Sequence, residues 1–380
     1  MNFRIILMAA VAFVVGTVEL IVGGILELIA TDLHISVSAA GQFITVYSIA
    51  FALSAPILMN LTAKMERKTL YLSSLGVFLL SNVLVALSSS YALILSARAL
   101  SAMSGAVIIV LSITLASRLV PPSYSGRAIG IIYMGISGSL VLGVPIGMTI
   151  GDAYGWRAPF LLIAGMSALA IVGISVFFHK SPPEKAVPLR KQLALLKNGK
   201  IVSGQLISFL LLMGHLTLYA YLAPYVQSLF PVSPGILSLV YFLFGIAAVA
   251  GGGLGGWISD RWSTRQALIV ITACFACSMF MLPLAAKVSF SMFLAVVMVW
   301  SALSWAISPA QQMYLIQTAP EEADVQLSLN SSIMHLGIAC GSLIGGVIIE
   351  TSSVANNFWV GGLLALAALG CAVFSLTRSA

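Results

Sequence analysis

Twelve long apolar stretches, separated by short polar turns, constrain this sequence more than any other feature. A helix needs about 20 apolar residues to cross the hydrocarbon core of a bilayer, and each stretch approaches or exceeds that length. Of the 380 residues, 60% are hydrophobic and 8% are charged, whereas an average soluble domain has roughly 25% charged residues. A soluble protein of this size has too little interior to bury so much apolar surface, so we expect a polytopic membrane protein.

The polar clusters of the sequence set the predicted bounds of the spans. These bounds are 4–29, 39–61, 69–88, 92–119, 127–150, 158–178, 201–226, 234–257, 267–286, 290–318, 326–350 and 358–378. Between the sixth and seventh spans lies one long polar segment, HKSPPEKAVPLRKQLALLKNGK, whose paired prolines and basic amphipathic stretch are typical of a surface linker. The sequence therefore predicts a first unit at 1–178, a cytoplasmic linker at 179–200 and a second unit at 201–380.

The placement of Lys and Arg predicts the orientation of the spans. If the N-terminus is cytoplasmic, fifteen basic residues fall on the cytoplasmic side, two (Arg157 and Lys287) fall on the other side, and Arg98 lies inside a span. An even number of spans brings the C-terminus to the cytoplasmic side as well. We therefore attribute the net charge of +7 to orientation in the membrane and expect no nucleic-acid partner, since the charges form no basic face.

The two halves of the chain repeat each other. When the halves are aligned, Pro122 falls on Pro320, and Gly143 and Gly147 of GVPIG fall on Gly341 and Gly345 of GSLIGG. Duplicated six-helix units, with the solute site near the bilayer midplane between them, are typical of secondary transporters. The expected fold is an all-α membrane protein, with twelve transmembrane helices in two pseudo-symmetric six-helix bundles and both termini cytoplasmic.

A loop motif carries a family resemblance. GGWISDRWSTR, after the eighth span, resembles the Gly-x-x-x-Asp-Arg…Arg motif of the major facilitator superfamily, with Asp260, Arg261 and Arg265 at the motif positions. In the fourth span, RALSAMSG is similar to the Arg of this family that is followed seven positions later by Gly. The resemblance covers the whole chain and implies a transporter.

The first-half copy of the loop motif, MNLTAKMERK, departs from the family pattern. Arg67 and Lys68 are retained, but Ala63 stands where the family has Asp and Glu66 stands where a second Gly is usual. The gate role that the resemblance implies for this loop therefore rests on Arg67 and Lys68 alone.

A second motif points to proton-driven export. GISGSLVLGVPIG in the fifth span is similar to the glycine- and proline-rich motif of proton-driven exporters, with Gly143, Pro145 and Gly147 in its last part. VELIVGGIL, LTAKMERKTLYL, GRAIGIIYMG, TLYAYLAPY and SPAQQMYLIQ most resemble bacterial purine base and nucleoside efflux pumps in the drug:proton antiporter group. Sugar and arabinose exporters are neighbours of these pumps and share most of the strings.

One carboxylate, Glu19 in GTVELIVGGIL, lies inside the first span. An isolated charge there costs about 2.5–3.5 kcal/mol on insertion-based scales, so its presence calls for a role. At 1.5 Å per residue, Glu19 lies roughly 22 Å along an outward-running span. Arg98 lies at a similar level in the fourth span, so we expect Glu19 to carry a coupled proton and Arg98 to pair with it. A static ion pair between two helices is the alternative.

Polar and aromatic residues inside the spans are the candidate solute ligands. Amides can bond the ring nitrogens and exocyclic groups of a purine, and aromatic rings can stack on its face. For each residue the alternative is a hydrogen bond that only holds two helices together. Adjacent residues such as Gln311 and Gln312 point about 100° apart, so both cannot face one cavity squarely. The candidates are Gln42, Tyr47, Tyr133, His215, Tyr219, Gln311, Gln312, Asn330 and His335.

GGGLGG in the eighth span formally contains the dinucleotide-binding pattern G-x-G-x-x-G. The pattern follows an apolar helix where a nucleotide-binding fold has a strand, and no acidic residue follows about 20 positions later. We therefore assign Gly252 and Gly256 to close packing between membrane helices, as in a G-x-x-x-G motif.

The sequence predicts an exporter of the bacterial inner membrane, and not an enzyme, that exchanges protons for a small organic solute by alternating access. A purine base or nucleoside is the first hypothesis for the solute, and sugars or amphipathic drugs are the second. A receptor or scaffold that does not transport is a third hypothesis, from another class. The expected partners are a small-molecule substrate, protons and the lipid bilayer, with no cofactor and no metal, and the chain is expected to act as a monomer.

Overall fold

A computed structural model describes residues 3–121, 124–183, 194, 196 and 198–377, apart from the side chains of residues 260, 323, 324 and 377. In the first half of the chain, up to residue 183, the helices are α1 (Phe3–Gly24), α2 (Leu26–Asp32), α3 (Val37–Leu61), α4 (Arg67–Leu87), α5 (Tyr91–Arg118), α6 (Ser125–Gly138), α7 (Val144–Tyr154) and α8 (Ala158–Phe177). In the second half, from residue 198, they are α9 (Gly199–Tyr219), α10 (Leu222–Leu229), α11 (Pro234–Arg261), α12 (Thr264–Val288), α13 (Phe290–Thr318), α14 (Ala323–Thr351) and α15 (Asn357–Thr377).

Twelve segments of the described chain are helices long and apolar enough to cross a membrane, with α6 and α7 counted as one. The prediction of an all-α protein with twelve spans is therefore confirmed, and most predicted bounds lie within a few residues of the observed ones. Polar side chains in the turns start several helices by accepting hydrogen bonds from the first backbone N–H groups. Ser36, Asn198, Ser233, Ser263 and Ser289 do so.

The first and seventh spans are shorter than predicted, because each breaks into a long helix and a short one. α1 ends at Gly24 and α2 begins at Leu26, while α9 ends at Tyr219 and α10 begins at Leu222. At the second break the hydroxyl group of Tyr221 donates to the carbonyl oxygen of Ser342, 2.9 Å away, so a contact with another helix replaces the continuous turn. The breaks fall at corresponding positions of the two halves, as the internal repeat predicts.

The helices run between two ends of the bundle, here called the near end, where α1 begins, and the far end, where α1 stops. At the near end, Arg4 contacts the ring of His179, just beyond α8. At the far end, Asp32 accepts hydrogen bonds from the indole of Trp156 and the guanidinium of Arg157. These two donors hold the pKa of Asp32 below its ordinary value and tie α2 to the turn before α8.

The two halves meet chiefly where α3 packs on α14 and where α7 packs on α11. Among the described residues, five polar contacts join the halves on the far side of the bundle midpoint. They link Tyr241 to Gly23, Gln227 to Glu27, Glu350 to Ser36, Ser342 to Gly41 and His335 to Glu19. The far end is therefore held together across the two halves of the chain.

Glycines set the contact between α11 and α13. A Cβ atom added at Gly251 or Gly255 would overlap the backbone of α13, at Ala302 or Ala306 respectively. A Cβ atom at Gly252 or Gly256 would have no other atom within 4 Å. The predicted packing pair is thus wrong by one residue, and the G-x-x-x-G face that contacts a neighbouring helix contains Gly251 and Gly255.

Replacement of Gly251 by Ala is expected to destabilise the protein by roughly 1–3 kcal/mol, because the added methyl group forces two backbones apart. The measurement is the thermal unfolding of the purified protein in detergent, with Gly252→Ala as the matched control. The control is expected to unfold at the temperature of the parent. Equal melting temperatures for both variants would contradict this helix packing.

Candidate functional site

Glu19 contacts a histidine from the other half of the chain. Its Oε1 atom lies 3.3 Å from Nε2 of His335, which belongs to α14. The side chain of Glu19 is 22% exposed and that of His335 is 14% exposed, so small polar molecules can reach both. Two residues that the sequence suggested for different roles, proton coupling for Glu19 and solute binding for His335, thus form one pair.

The imidazole ring of His335 is held from two sides. Its Nδ1 atom lies 2.8 Å from the carbonyl oxygen of Ser331, one turn earlier in α14. Its face stacks on the ring of Phe51 in α3, with ring centroids 4.0 Å apart and planes inclined by 12°. These contacts fix the direction in which Nε2 points, which is towards Glu19.

Arg98 lies beside Glu19 without bonding to it. The buried guanidinium donates a hydrogen bond of 2.9 Å to the carbonyl oxygen of Val18, and it lies 4.3 Å above the ring of Tyr47. Within the described chain, no hydrogen bond or ion pair joins Arg98 to the Glu19 carboxylate. The two charges still interact electrostatically, so Arg98 is a charged neighbour of Glu19 and His335 is its direct partner.

Two buried tyrosines complete the surroundings of Glu19. The phenol groups of Tyr47 in α3 and Tyr219 in α9 both interact electrostatically with its carboxylate. We call Glu19, Tyr47, Arg98, Tyr219 and His335 the central cluster. It draws on five helices from both halves of the chain, α1, α3, α5, α9 and α14.

His215 lies in an aromatic box inside the second half. Its ring stacks on Tyr219 at 5.4 Å and lies 4.8 Å from the ring of Trp300, with Phe244 and Phe275 also in contact. All five side chains are buried. The sequence suggested His215 and Tyr219 but not the other three, because an apolar ring inside an apolar span carries no signal of its own.

The amide candidates do not gather around one point. The side-chain amide of Gln311 donates to the carbonyl oxygen of Gly204 at 2.7 Å, whereas Gln312 is exposed, as expected for adjacent helical residues. Asn330 is buried and contacts the sulfur of Met334. Gln311 therefore makes the interhelical hydrogen bond that was the alternative to solute binding.

Gln42 and Tyr133, the remaining solute candidates, stand apart from the central cluster. Gln42 in α3 is half-buried, and Tyr133 in α6 keeps 50% of its surface exposed. Across residues 3–121, 124–183 and 198–377, neither side chain makes a hydrogen bond to another residue. Both remain candidates on the strength of the sequence alone.

The motif in the fifth span forms the contact between α1 and α7. Between α6 and α7, residues Ser139–Gly143 form a single π-helical turn, and Pro145 follows in the first turn of α7. A Cβ atom at Gly143 would overlap Thr17, and one at Gly147 would overlap Ile21. The span therefore widens locally and stays continuous at this motif, which accommodates the missing N–H group of the proline.

The first-half loop motif fastens two chain segments at the near end. Glu66 caps α4 by accepting hydrogen bonds from the backbone N–H groups of Lys68 and Thr69, and it also accepts one of 2.6 Å from the N–H of Ser181. The ammonium group of Lys68 donates to the carbonyl oxygens of Ser175 and Phe178 at the end of α8. Glu66, which departs from the family pattern, therefore has a structural role. We call the bonds of Glu66 and Lys68 to Ser175, Phe178 and Ser181 the near-end clasp.

The remaining motif residues differ in burial. Arg67 is buried at the start of α4, and its backbone N–H donates to the carbonyl oxygen of Ser181. In the second-half loop, Arg261 lies over the ring of Trp257 at 4.6 Å and Arg265 is exposed. The side chain of Asp260 lies outside the described part of the structure.

Comparison with known proteins identifies the family of this architecture. Residues 8–329 match the Major Facilitator Superfamily. A Bacillus subtilis MFS-type transporter, YbcL, is 38% identical over 95% of this chain and 93% of its own length. A "Probable sugar efflux transporter" of Mannheimia succiniciproducens is 31% identical over 95% of this chain and 91% of its own length. The fold also matches the Escherichia coli xylose transporter XylE, with a TM-score of 0.79 and 15% identity over 100% of this chain and 98% of that one.

Replacement of Glu66 by Ala is expected to loosen the near-end clasp. Partial burial raises the pKa of Glu66, but hydrogen bonds from Ser181, Thr69 and Lys68 outweigh it and lower that pKa to about 2. Because this value is below the ordinary one, the clasp is complete above the ordinary glutamate pKa and is lost as the pH falls through about 2.

The measurement is amide hydrogen exchange at pH 7 in peptides that contain Lys68, Thr69 and Ser181. Loss of a helix cap costs about 1 kcal/mol, so exchange there is expected to become about fivefold faster. Glu321→Ala, at an exposed acidic residue of the second half, is the matched control. Unchanged exchange at Ser181 in Glu66→Ala would contradict the clasp.

Proposed function

This chain belongs to the major facilitator superfamily, and we propose that it exports a small polar solute across the inner membrane in exchange for protons. It is a multi-pass membrane transporter and not an enzyme, since its twelve apolar spans and its relatives agree on that class. The proposed parts of this function are the energy source, the direction of transport and the identity of the solute. The single observation that supports it best is the pair of Glu19 and His335, which joins the two halves inside the membrane.

Proton exchange explains why a carboxylate stands in the first span. A charge inside a membrane is retained where it faces a partner or a wet cavity, and such groups serve as proton relays in transporters. Glu19 has a titratable partner on the other half of the chain, so its proton and the arrangement of the halves act on each other. A helix-locking ion pair within one half would lack that link.

The proposed transport cycle uses the two halves as moving units. We assign the first unit to 1–178, the linker to 179–200 and the second unit to 201–380, with alternating access produced by rocking of one bundle against the other. If the near end is cytoplasmic, as the basic residues predict, the five far-end contacts close the outer side. Outward release of the solute would then require these contacts to separate. A monomer suffices for this cycle.

Sugars become the first solute hypothesis. Four buried polar atoms in the central cluster have no hydrogen-bond partner among the described residues: the hydroxyls of Tyr47 and Tyr219, and Nε and Nη2 of Arg98. A sugar hydroxyl both donates and accepts, so it can satisfy phenols and a guanidinium together. The 31% identical relative carries a sugar efflux name, which supports the same choice.

Purine bases and nucleosides are the second solute hypothesis. The resemblance of VELIVGGIL and SPAQQMYLIQ to purine efflux pumps favours them. Against them, the side-chain nitrogen of Gln311 is engaged by the carbonyl oxygen of Gly204, so only its Oε1 atom lacks a partner among the described residues. Amphipathic drugs remain the third class to test, since exposed aromatic and Met side chains would tolerate them.

Replacement of Glu19 by Gln is expected to abolish gradient-driven transport while leaving solute exchange intact. The assay is flux of radiolabelled xylose, arabinose, hypoxanthine and adenosine in proteoliposomes with an imposed pH gradient. Gradient-driven flux should fall roughly tenfold or more, because the amide cannot carry the proton. Glu321→Gln serves as the control acidic residue. Full gradient-driven flux in Glu19→Gln would exclude Glu19 as the proton carrier.

Replacement of Tyr219 by Phe is expected to weaken binding of the transported solute by about two- to tenfold, because one hydroxyl partner is lost. The ring and its stacking on His215 are retained, so the fold should persist. Tyr225→Phe is the matched control, since that hydroxyl is also buried and unpartnered but lies outside the central cluster. Equal KM values for the two variants would place the solute elsewhere.

A further inference from the structure

We propose that Glu19 and His335 form a lock between the two halves that holds when the pair contains one shared proton and releases when it contains none or two. This inference rests on the proposed proton exchange and deepens it, because it makes His335 the positioning residue for the proton of Glu19. It also replaces Arg98, the partner expected from the sequence, by a group that can itself gain and lose a proton.

The proton count follows from the hydrogen bonds of the imidazole. A carbonyl oxygen only accepts, so the 2.8 Å contact with Ser331 requires that Nδ1 of His335 carries a hydrogen. The other nitrogen, Nε2, is the atom that faces Glu19. A hydrogen bond between Nε2 and the carboxyl group then needs one proton, bound either to Nε2 or to Oε1 of Glu19.

The other two protonation states weaken the contact. With no shared proton, the lone pair of Nε2 faces a negatively charged carboxylate, and the two groups repel each other. With two protons, an imidazolium ion faces a neutral acid, and the charge attraction of the ion pair is lost. The pair therefore titrates as a unit, and the contact is strongest between its two titration steps.

The imidazole ring of His335 cannot readily flip so that its other nitrogen faces Glu19. Phe51 stacks on one face at 4.0 Å, and the bond to Ser331 holds the opposite ring nitrogen. A rotated ring would lose the bond to Ser331 in order to keep one to Glu19. The orientation of His335 is therefore set by one residue from each half.

The other titratable or charged groups that act on Glu19 in the described chain are Arg98, Tyr47 and Tyr219. Arginine keeps its charge throughout the usable pH range, and the ordinary pKa of tyrosine is about 10. These three groups thus provide a constant background near neutral pH. Within the pair, the change of protonation falls on Glu19 and His335. Two further carboxyl groups, Glu27 and Glu350, belong to the far-end contacts with Gln227 and Ser36, and they are the same in the parent and in every variant.

The lock acts on the far-end closure through α14. Ser342 follows His335 by two helical turns and donates a hydrogen bond of 3.2 Å to the carbonyl oxygen of Gly41 in α3. Farther along, a Cβ atom at Gly346 would overlap Ser38 and Tyr221, so the helices are already in close contact there. Separation of His335 from Glu19 and Phe51 would release the same helix pair, α3 and α14, that closes the far end.

The test is a distance measurement that needs no solute. Spin labels are attached to cysteines placed at Thr31 and Thr351, which are exposed at the far end in opposite halves. The four native cysteines, Cys274, Cys277, Cys340 and Cys371, are replaced by Ala. Pulsed electron resonance of the full chain in lipid nanodiscs then gives the fraction of molecules with a separated far end, from pH 4 to pH 9.

In the parent, this fraction is expected to pass through a minimum and to rise by fivefold or more on each side. Glu19→Gln and His335→Gln should both flatten the profile to less than about twofold, because an amide can donate or accept and keeps its bond in either state of its partner. The double variant should give the same flat pH profile as either single variant. His34→Asn, at an exposed far-end histidine, is the control and should retain the parent profile.

The outcomes separate the lock from the proposed function. A flat parent profile, or an unchanged profile in a folded His335→Gln variant, would overturn the lock even if proton-driven transport is observed. A profile that rises on one side only would overturn the two-proton release. A bell-shaped profile that both variants abolish would support the lock, whatever solute the proteoliposome assay identifies.

Discussion

A bilayer offers no partner to an unpaired polar group, and the rest of this structure depends on that constraint. Each span is helical because only a helix satisfies its own backbone. Where helices are irregular, partners come from neighbours, as in the bond from Tyr221 to the carbonyl oxygen of Ser342. The same need turns Arg98 towards the carbonyl oxygen of Val18 and Gln311 towards that of Gly204. Polar side chains inside the spans thus serve first as hydrogen bonds between helices. Where such a side chain is titratable, it can also bind and release a proton.

The sequence predicted the spans well because their length and apolar composition are local properties. It missed the breaks at Ile25 and Tyr221 although Gly23 and Gly24 precede the first and Pro224 follows the second, since glycine and proline are also common inside continuous membrane helices. The second break also depends on a contact with a distant helix. It also chose the wrong register in GGGLGG. A run of glycines offers two equivalent G-x-x-x-G faces, and only the position of α13 selects Gly251 and Gly255.

The candidate site shows the same limit. Polar residues in apolar spans are visible in the sequence, so Glu19, Arg98 and His335 were found, but their pairing depends on how each helix is rotated in the bundle. Membrane depth placed Glu19 and Arg98 at one level and did not reveal that Arg98 faces Tyr47. Phe51, which positions His335, lies four residues after Tyr47 and so on the same helical face. That spacing was the one sign in the sequence that Phe51 lies near the site. Because Phe51 is apolar, its residue type did not mark it as a site residue.

The contacts between the halves are weak enough for protons to control them. Five polar contacts join the far end, and an interhelical hydrogen bond in a membrane contributes about 0.6 kcal/mol on average. Their sum, ~3 kcal/mol, is below the roughly 5.5 kcal/mol that carries a two-state equilibrium from 1:99 to 99:1. Close glycine contacts such as Gly346 against Ser38 add packing without adding charge. An interface of several buried ion pairs would resist a single proton. Here Glu27 and Glu350 each bond a side chain that does not titrate, and the contact between Glu19 and His335 is the one of the five in which both partners titrate.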